Sequence, residues 1–413
     1  MFERQFCIAQ VGMLLRIKKK QLELERRLEH NYNYDVAIAG AGIVGASVAW
    51  HLAKAGLRVV VIDQTGPAAA ASGASDGAIS VASKVQGPIA RLASASLLYT
   101  EELARAGLLL KAFKRRPSYI FATSVEEITA LDNLIVKLQA LAGPVRVVSD
   151  GSAKMLTGLS EQVERLITLE GEGHMPGHQA VLAYLTTPGI TPLWPSKIKS
   201  INSDSTGVTV DLGTQNLRVG YLVAALGVST PSLFPTMPIL PRAGQLIVTD
   251  RGPVGGLQGS LTAAAYLLAK TEISVKSLQP PVVIDPLGTG QYLIGSSREN
   301  HGDSTKVDFE TVRLLLTRAS AVWPALRAQR VIRAFSGVRA AVSDGMPIVG
   351  PLPDAKRIIM ATGFEGDGIC LSALIGREVA LMVRDVASQS EFATDLAALS
   401  PARFLSARQE GVA

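Results

Sequence analysis

The chain has 413 residues, of which 47% are hydrophobic and 18% charged, with 38 glycines and 21 prolines. That length implies two or three units rather than one simple core, and the composition excludes disorder and low complexity. The formal charge is +6 with only 5% aromatic residues. Much of the excess sits in two runs, Lys18-Lys19-Lys20 with Arg26-Arg27 and Lys111 with Lys114-Arg115-Arg116, so it reads as solvated surface charge and no nucleic-acid partner is implied. Two cysteines, Cys7 and Cys370, supply neither a disulfide framework nor metal or iron–sulfur ligand spacing, a pattern expected of a cytoplasmic protein. No apolar run reaches the roughly 18 residues of a bilayer span, so no transmembrane segment is expected.

Residues 1–32 are poor in glycine and rich in helix formers, with Leu14, Ile17, Leu24 and Leu28 near one helical stripe. The glutamates Glu3, Glu23, Glu25 and Glu29 argue against a transit peptide. A partner-binding helix and an over-long start both remain open. From Asp35 the pattern becomes strand, helix, strand: the apolar run Val36–Ala39, helical spacing over Ile43–Ala55, then Arg58–Asp63. A run apolar on both faces suits a buried parallel strand with a right-handed crossover.

Further along, Arg91–Ala112 reads as a helix, and Tyr119–Ala142 as a strand followed by a helix from about Glu126. Gly207–Leu212 and Leu217–Ala225 read as a hairpin feeding a buried strand. The proline-rich stretch Pro231–Pro241 reads as a crossing between domains. Gln245–Thr249, Val282–Ile284 and Tyr292–Gly295 look like strands of a mainly antiparallel sheet, covered by a helix over Val312–Val322. Ile358–Ala361 and Ile369–Val383 then repeat the strand, glycine turn, helix pattern.

Gly40-Ala41-Gly42-Ile43-Val44-Gly45 is a GxGxxG between a predicted strand and a predicted helix. In that context Gly40 permits a tight turn, Gly42 lets the backbone approach a pyrophosphate at the helix N-terminus, and Gly45 lets helix pack on strand. Asp63 stands at the spacing of a carboxylate that accepts from an unphosphorylated ribose. The unit alone does not separate FAD from NAD. The small-residue run Ala71-Ser72-Gly73-Ala74-Ser75-Asp76-Gly77 adds amides and hydroxyls suited to a flavin and its phosphates, and Val223-Ala224-Ala225-Leu226-Gly227 reads as a buried strand ending in a small turn.

With the stretches Gly337–Pro351 and Ala361-Thr362-Gly363-Phe364-Glu365-Gly366-Asp367-Gly368-Ile369, the chain resembles the D-amino-acid oxidase-like family of FAD enzymes. The resemblance runs from about Tyr34 to Val386. Ile294–Glu299 and the Phe364–Ile369 turn look closest to the flavin subunits of opine and hydroxyproline dehydrogenases.

This resemblance implies an α/β plus α+β fold, a Rossmann-like FAD-binding domain interleaved with a mainly antiparallel-sheet substrate domain. The former would comprise residues 33–115, 170–238 and 331–391, the latter 116–169 and 239–330, with an extension at 1–32 and a tail at 392–413. It implies non-covalent FAD held by Gly40, Gly42, Gly45, Asp63, Ser72, Gly73, Ala74, Ser75 and Gly227. Gly363, Phe364, Glu365, Gly366, Asp367, Gly368 and Ile369 would face the flavin ring. Arg339 matches the arginine that clasps a substrate carboxylate, a role suited to a planar bidentate donor; the bland alternative is an ion pair. The family's proline after this arginine is Ala340 here.

His174 and His178 sit at i and i+4, but Pro176 and Gly177 break a helix between them, so a metal site is not expected. His51 reads as a helix-surface residue. The expected reaction is hydride transfer from the carbon next to nitrogen of a small carboxylate-bearing amino or imino acid. Electrons would leave through partner subunits with iron–sulfur or flavin centres. A stand-alone oxidase producing peroxide and a non-catalytic FAD-binding assembly subunit are the alternatives.

Overall fold

The structure is a computed structural model that describes residues 32–84, 87–252, 257–266 and 281–404. Apart from Tyr32, the helix expected over residues 1–32 lies outside them. The apolar run starting at Tyr34 forms β1 (Tyr34–Ala39), followed by α1 (Ile43–Lys54) and β2 (Val59–Ile62). β1 and β2 pair in parallel, and Val36 to Ala39 are at most 1% exposed, as a strand covered on both faces requires.

The next helix, α2, spans Gly87–Arg105 and stops short of Ala112. Gly107, at φ +96°, adopts a left-handed conformation, and the amides of Gly107 and Leu108 turn back to the carbonyls of Ala104 and Leu103. Helical periodicity in the sequence continues past this stop, but the backbone does not. His51 corrects a second expectation, since it is buried rather than on the helix surface. Its Nδ1 meets the Ser47 carbonyl at 2.7 Å and its Nε2 meets the Tyr99 hydroxyl of α2 at 3.0 Å. Burial, foremost, lowers its pKa to about 4.

The hairpin strand β3 (Asn216–Ala224) runs beside β1 in parallel and pairs antiparallel with Val208–Asp211. The chain then crosses to a second sheet through β4 (Ile239–Thr249), β5 (Val283–Pro286), β6 (Tyr292–Gly295) and β7 (Val331–Val342). The order in that sheet is β7, β4, β6, β5, then Ser260–Ala263, Ser118–Ala122, Arg165–Glu170 and Arg146–Gly151. Every pairing is antiparallel except that of Ser260–Ala263 with Ser118–Ala122.

β4 begins at Ile239, inside the stretch expected to be a turn. Pro241 is tolerated there because it pairs with Ala340 of β7 on one side, while pairing on the other side begins at Ala243, which bridges Glu299, and β6 joins from Leu246. The helix Phe309–Val322 covers one face of this sheet, burying Val312, Leu315, Ala319 and Val322 with Trp323 over Ile247, Ile284 and Ile294.

The chain returns through β8 (Ala355–Thr362), parallel to β3, and α3 (Gly368–Val383). α3 packs on α1 so closely that a Cβ at Gly376 would stand 2.1 Å from Ser47 Oγ. Phe392, Leu396 and Leu399, in the stretch expected to be a tail, pack into the core that these helices form on the parallel strands.

Candidate functional site

The glycine turn opens a groove. Gly40 has φ +110°, and a Cβ there would stand 2.3 Å from the Ala225 carbonyl at the end of β3, so only glycine closes this turn. Gly42 caps α1 with no side-chain bond and no acidic residue follows in the first turn, which leaves a helix N-terminus suited to an anion. The Ile43 amide donates to Ser72 Oγ at 2.9 Å. Asp63 accepts from the Ala41 amide through Oδ2 and from the Thr65 and Gly66 amides through Oδ1, at 2.8 to 2.9 Å. It thereby ties the turn to the end of β2 and keeps lone pairs for a further donor.

The groove has a volume of about 1230 Å³ and is bordered by Gly40, Gly42, Asp63, Ser72, Gly227, and the turn at Gly363–Glu365 with Gly368. It shares Ile43, Ala71, Ser72, Glu365 and Gly368 with a second cavity of about 850 Å³, which also meets Ala74, Ser75, Gly366, Ile369 and Arg339. An elongated dinucleotide fits this pair: a cradle closed to any Cβ at one end and a smaller chamber beyond the small-residue run.

Arg339 projects from β7 opposite Arg242 of β4. Its Nη2 donates to Ser296 Oγ at 3.0 Å, and its Nη1 reaches the Ala243 and Ser297 carbonyls at 3.4 Å. Gly244 leaves room for it, since a Cβ there would lie 2.4 Å from Nη1. Among the described residues no carboxylate forms an ion pair with Arg339, whereas Arg242 and Arg298 both pair with Glu365. Glu365 takes φ +47° to do so. Of these three guanidinium groups, the one in the chamber without a protein carboxylate is Arg339.

Three sequence-selected residues stand apart from the cavity walls. Gly45 packs α1 on β1, where a Cβ would lie 2.1 Å from the Gly40 carbonyl, and Gly73 packs on the Ala68 carbonyl. Asp367 turns its carboxylate to the Lys84 ammonium at 3.2 Å. Burial works against the charge on Lys84, but Asp367 and the neighbouring Cys370 and Tyr266 raise its pKa overall. His174 lies in the short strand Gly173–His174 and His178 on the helix Gly177–Leu185.

Sequence reasoning missed Lys84, Lys197 on the groove wall, and Asp285 on the chamber wall that Asp76 of the small-residue run also borders. None carries a motif, and their proximity arises from segments far apart in the chain.

A family model described as FAD dependent oxidoreductase matches residues 35–382. The chain is 26% identical over 396 residues to glycine oxidase of Geobacillus kaustophilus (strain HTA426), covering 92% of this chain and 98% of that protein. It is 25% identical over 337 residues to an opine oxidase subunit of Rhizobium meliloti, covering 77% of this chain and 85% of that protein. Among solved structures, glycine oxidase from Geobacillus kaustophilus superposes with a TM-score of 0.78 at 25% identity, over 89% of this chain and 98% of that one. L-proline dehydrogenase from P.horikoshii shares the fold, with a TM-score of 0.79 at 17% identity over 90% and 98%. With the glycine turn before α1, the acid at the end of β2 and the turn before α3 all inside the matched residues, the chain belongs to the FAD dependent oxidoreductase family.

Proposed function

We propose that the chain oxidises a small amino or imino acid at the carbon next to nitrogen, with Arg339 clasping the substrate carboxylate. The observation that carries this reading is the guanidinium of Arg339, held by neutral acceptors and, among the described residues, lacking a carboxylate partner in a chamber continuous with the groove. Gly40, Gly42, Asp63, Ser72, Ala74, Ser75 and Gly227 would hold FAD non-covalently, with Gly363, Phe364, Glu365, Gly366, Gly368 and Ile369 at its ring end. Gly45, Gly73 and Asp367 shape that site through the packing and pairing described above. Bound FAD supplies the acceptor for the hydride.

The chain's own work is binding, orientation and exclusion of water. Two parallel N–H bonds from Arg339 fix the carboxylate plane, and such positioning supplies several kcal/mol towards the barrier. Ser296 sets the rotation of the guanidinium. The two-sheet arrangement supports a division into a cofactor-binding part around the parallel strands and a substrate-binding part around β4 to β7. The relatives named glycine oxidase and opine oxidase support a C–N substrate.

We further place the chain in the cytoplasm as the flavin subunit of a heteromeric dehydrogenase, a reading supported by the likeness to an opine oxidase subunit and by the family resemblance of Ile294–Glu299. Anaerobic mixing of the FAD-loaded protein with amino acids, N-methyl amino acids, prolines and opines tests the reaction. Bleaching of the flavin absorbance by at least one of them is expected, and no bleaching by any overturns it. Stoichiometric peroxide from the isolated chain in air would replace the dehydrogenase reading with that of a self-sufficient oxidase.

A further inference from the structure

From Gly363 to Ile369 every residue borders the groove or the chamber except Asp367. Asp367 is the N-cap of α3, where an aspartate ordinarily turns its carboxylate onto the next free amides. Here it makes no such bond, and its φ of −102° and ψ of −1° are helical rather than the extended conformation that capping requires. The first turn of α3 carries no acid either. Gly368 and Ile369, which open the helix, therefore meet the cavities without a carboxylate folded over them.

The carboxylate is held elsewhere by Lys84, at the end of the short turn Ala82–Lys84. Lys84 is 8% exposed, and its Nζ donates to the Ser80 carbonyl at 2.6 Å and to Ser83 Oγ at 2.9 Å, with Asp367 Oδ1 at 3.2 Å. Those three contacts occupy all three donors of an ammonium, which leaves none for a ligand. The turn itself is fixed by Glu172, which accepts from Ser80 Oγ and the Ala82 amide at 2.9 Å and from Ser118 Oγ at 2.7 Å. Lys84 thus pulls on Asp367 from an anchored position.

We infer that Lys84 is a positioning residue for the cofactor: it draws the Asp367 carboxylate off the N-terminus of α3, leaving the positive end of that helix to the electron-rich edge of the flavin ring. This rests on the placement of the Gly363–Ile369 turn at the ring end of FAD. Fixed charge beside the ring tunes its appetite for electrons, and a helix N-terminus favours added negative charge. Without Lys84 the carboxylate would be attracted to the same amides and would cancel their effect.

The test needs neither substrate nor turnover. FAD-loaded protein is titrated with sulfite, which adds reversibly at flavin N5. The sulfur lone pair forms the N–S bond and the ring takes up the negative charge, so sulfite affinity reports the potential at the ring. Lys84→Met is expected to weaken sulfite binding on the order of tenfold, and Asp367→Asn added to it to restore most of the loss.

Unchanged sulfite affinity in Lys84→Met overturns the role, as does a loss that the added Asp367→Asn fails to reverse. A fall in FAD affinity alone, which a merely structural lysine would give, overturns it too. Should Lys84→Met not fold, Asp367→Asn by itself should tighten sulfite binding several-fold, because the Lys84 charge is then unopposed; parental affinity there overturns the inference.

Gly366 supplies the reference, since it borders the chamber and a Cβ on it would meet nothing within 4 Å. Gly366→Asp should bind sulfite more weakly than Gly366→Asn. Equal affinities in that pair would sink the placement of the turn at the ring, and the role of Lys84 with it. A difference in that pair with none in Lys84→Met would leave the placement standing and remove Lys84 alone.

Discussion

The Arg339 guanidinium owes its interest to its company. Two nearby arginines share the Glu365 carboxylate while Arg339 is held by a hydroxyl and two carbonyls, so its charge remains for a ligand. Arg339→Leu should raise the apparent KM for carboxylate substrates on the order of 100-fold while the flavin stays bound, measured by steady-state kinetics beside the visible spectrum. An unchanged KM would remove the carboxylate role.

At the same scale, His51 is neutral in the fold with a pKa lowered to about 4, chiefly by burial. The unfolded chain binds its proton at higher pH than the folded one, so this residue adds stability above the unfolded value and loses it as pH falls towards 4. Denaturant midpoints of His51→Leu should therefore depend less steeply on pH than those of the parent between about 6.5 and 4. Arg339 was legible because it matches a family pattern. The interior place of His51 was not, because burial on one helix depends on Tyr99 of another.

Among the elements, those built from local pattern emerged best. β1, α1 and β2 follow from an apolar run, a glycine turn and helical spacing, and these need only neighbours in sequence. The end of α2 and the start of β4 were misjudged for opposite reasons. Gly107 terminates a helix whose apolar periodicity continues, and Pro241 sits in a strand because one of its sides is unpaired at that point.

The turn before α1 makes a sharp prediction. Gly40→Ala places a methyl about where the Ala225 carbonyl lies in a backbone conformation that alanine resists. It should weaken FAD binding on the order of 100-fold, read by titration of the apoprotein. Retention of parental affinity would show that the turn does not grip the cofactor. At the α1–α3 crossing, Gly376→Val should lower the thermal midpoint through overpacking of about 1 to 3 kcal/mol against Ser47, and calorimetry giving the parental midpoint would show that the helices separate freely.

On the scale of the whole molecule, the sequence carried the architecture of two sheets and the cofactor class, but not Asp285 on the chamber wall. It lies far along the chain from Ser75 and Asp76 on the same wall, and nothing in either segment marks the other. The same holds for Glu365, whose arginine partners come from β4 and from the segment after β6. Glu365→Gln, which removes that negative charge while keeping its shape, should loosen the second sheet from the turn and lower both FAD affinity and turnover several-fold. Parental values for both in titration and kinetics would show the link to be dispensable.

That one short turn forms part of the wall of the groove and of the chamber alike. Random mutagenesis across it should accordingly yield no alleles that impair catalysis while sparing cofactor retention, and selection for a new substrate will find its freedom on β5 and β6 instead.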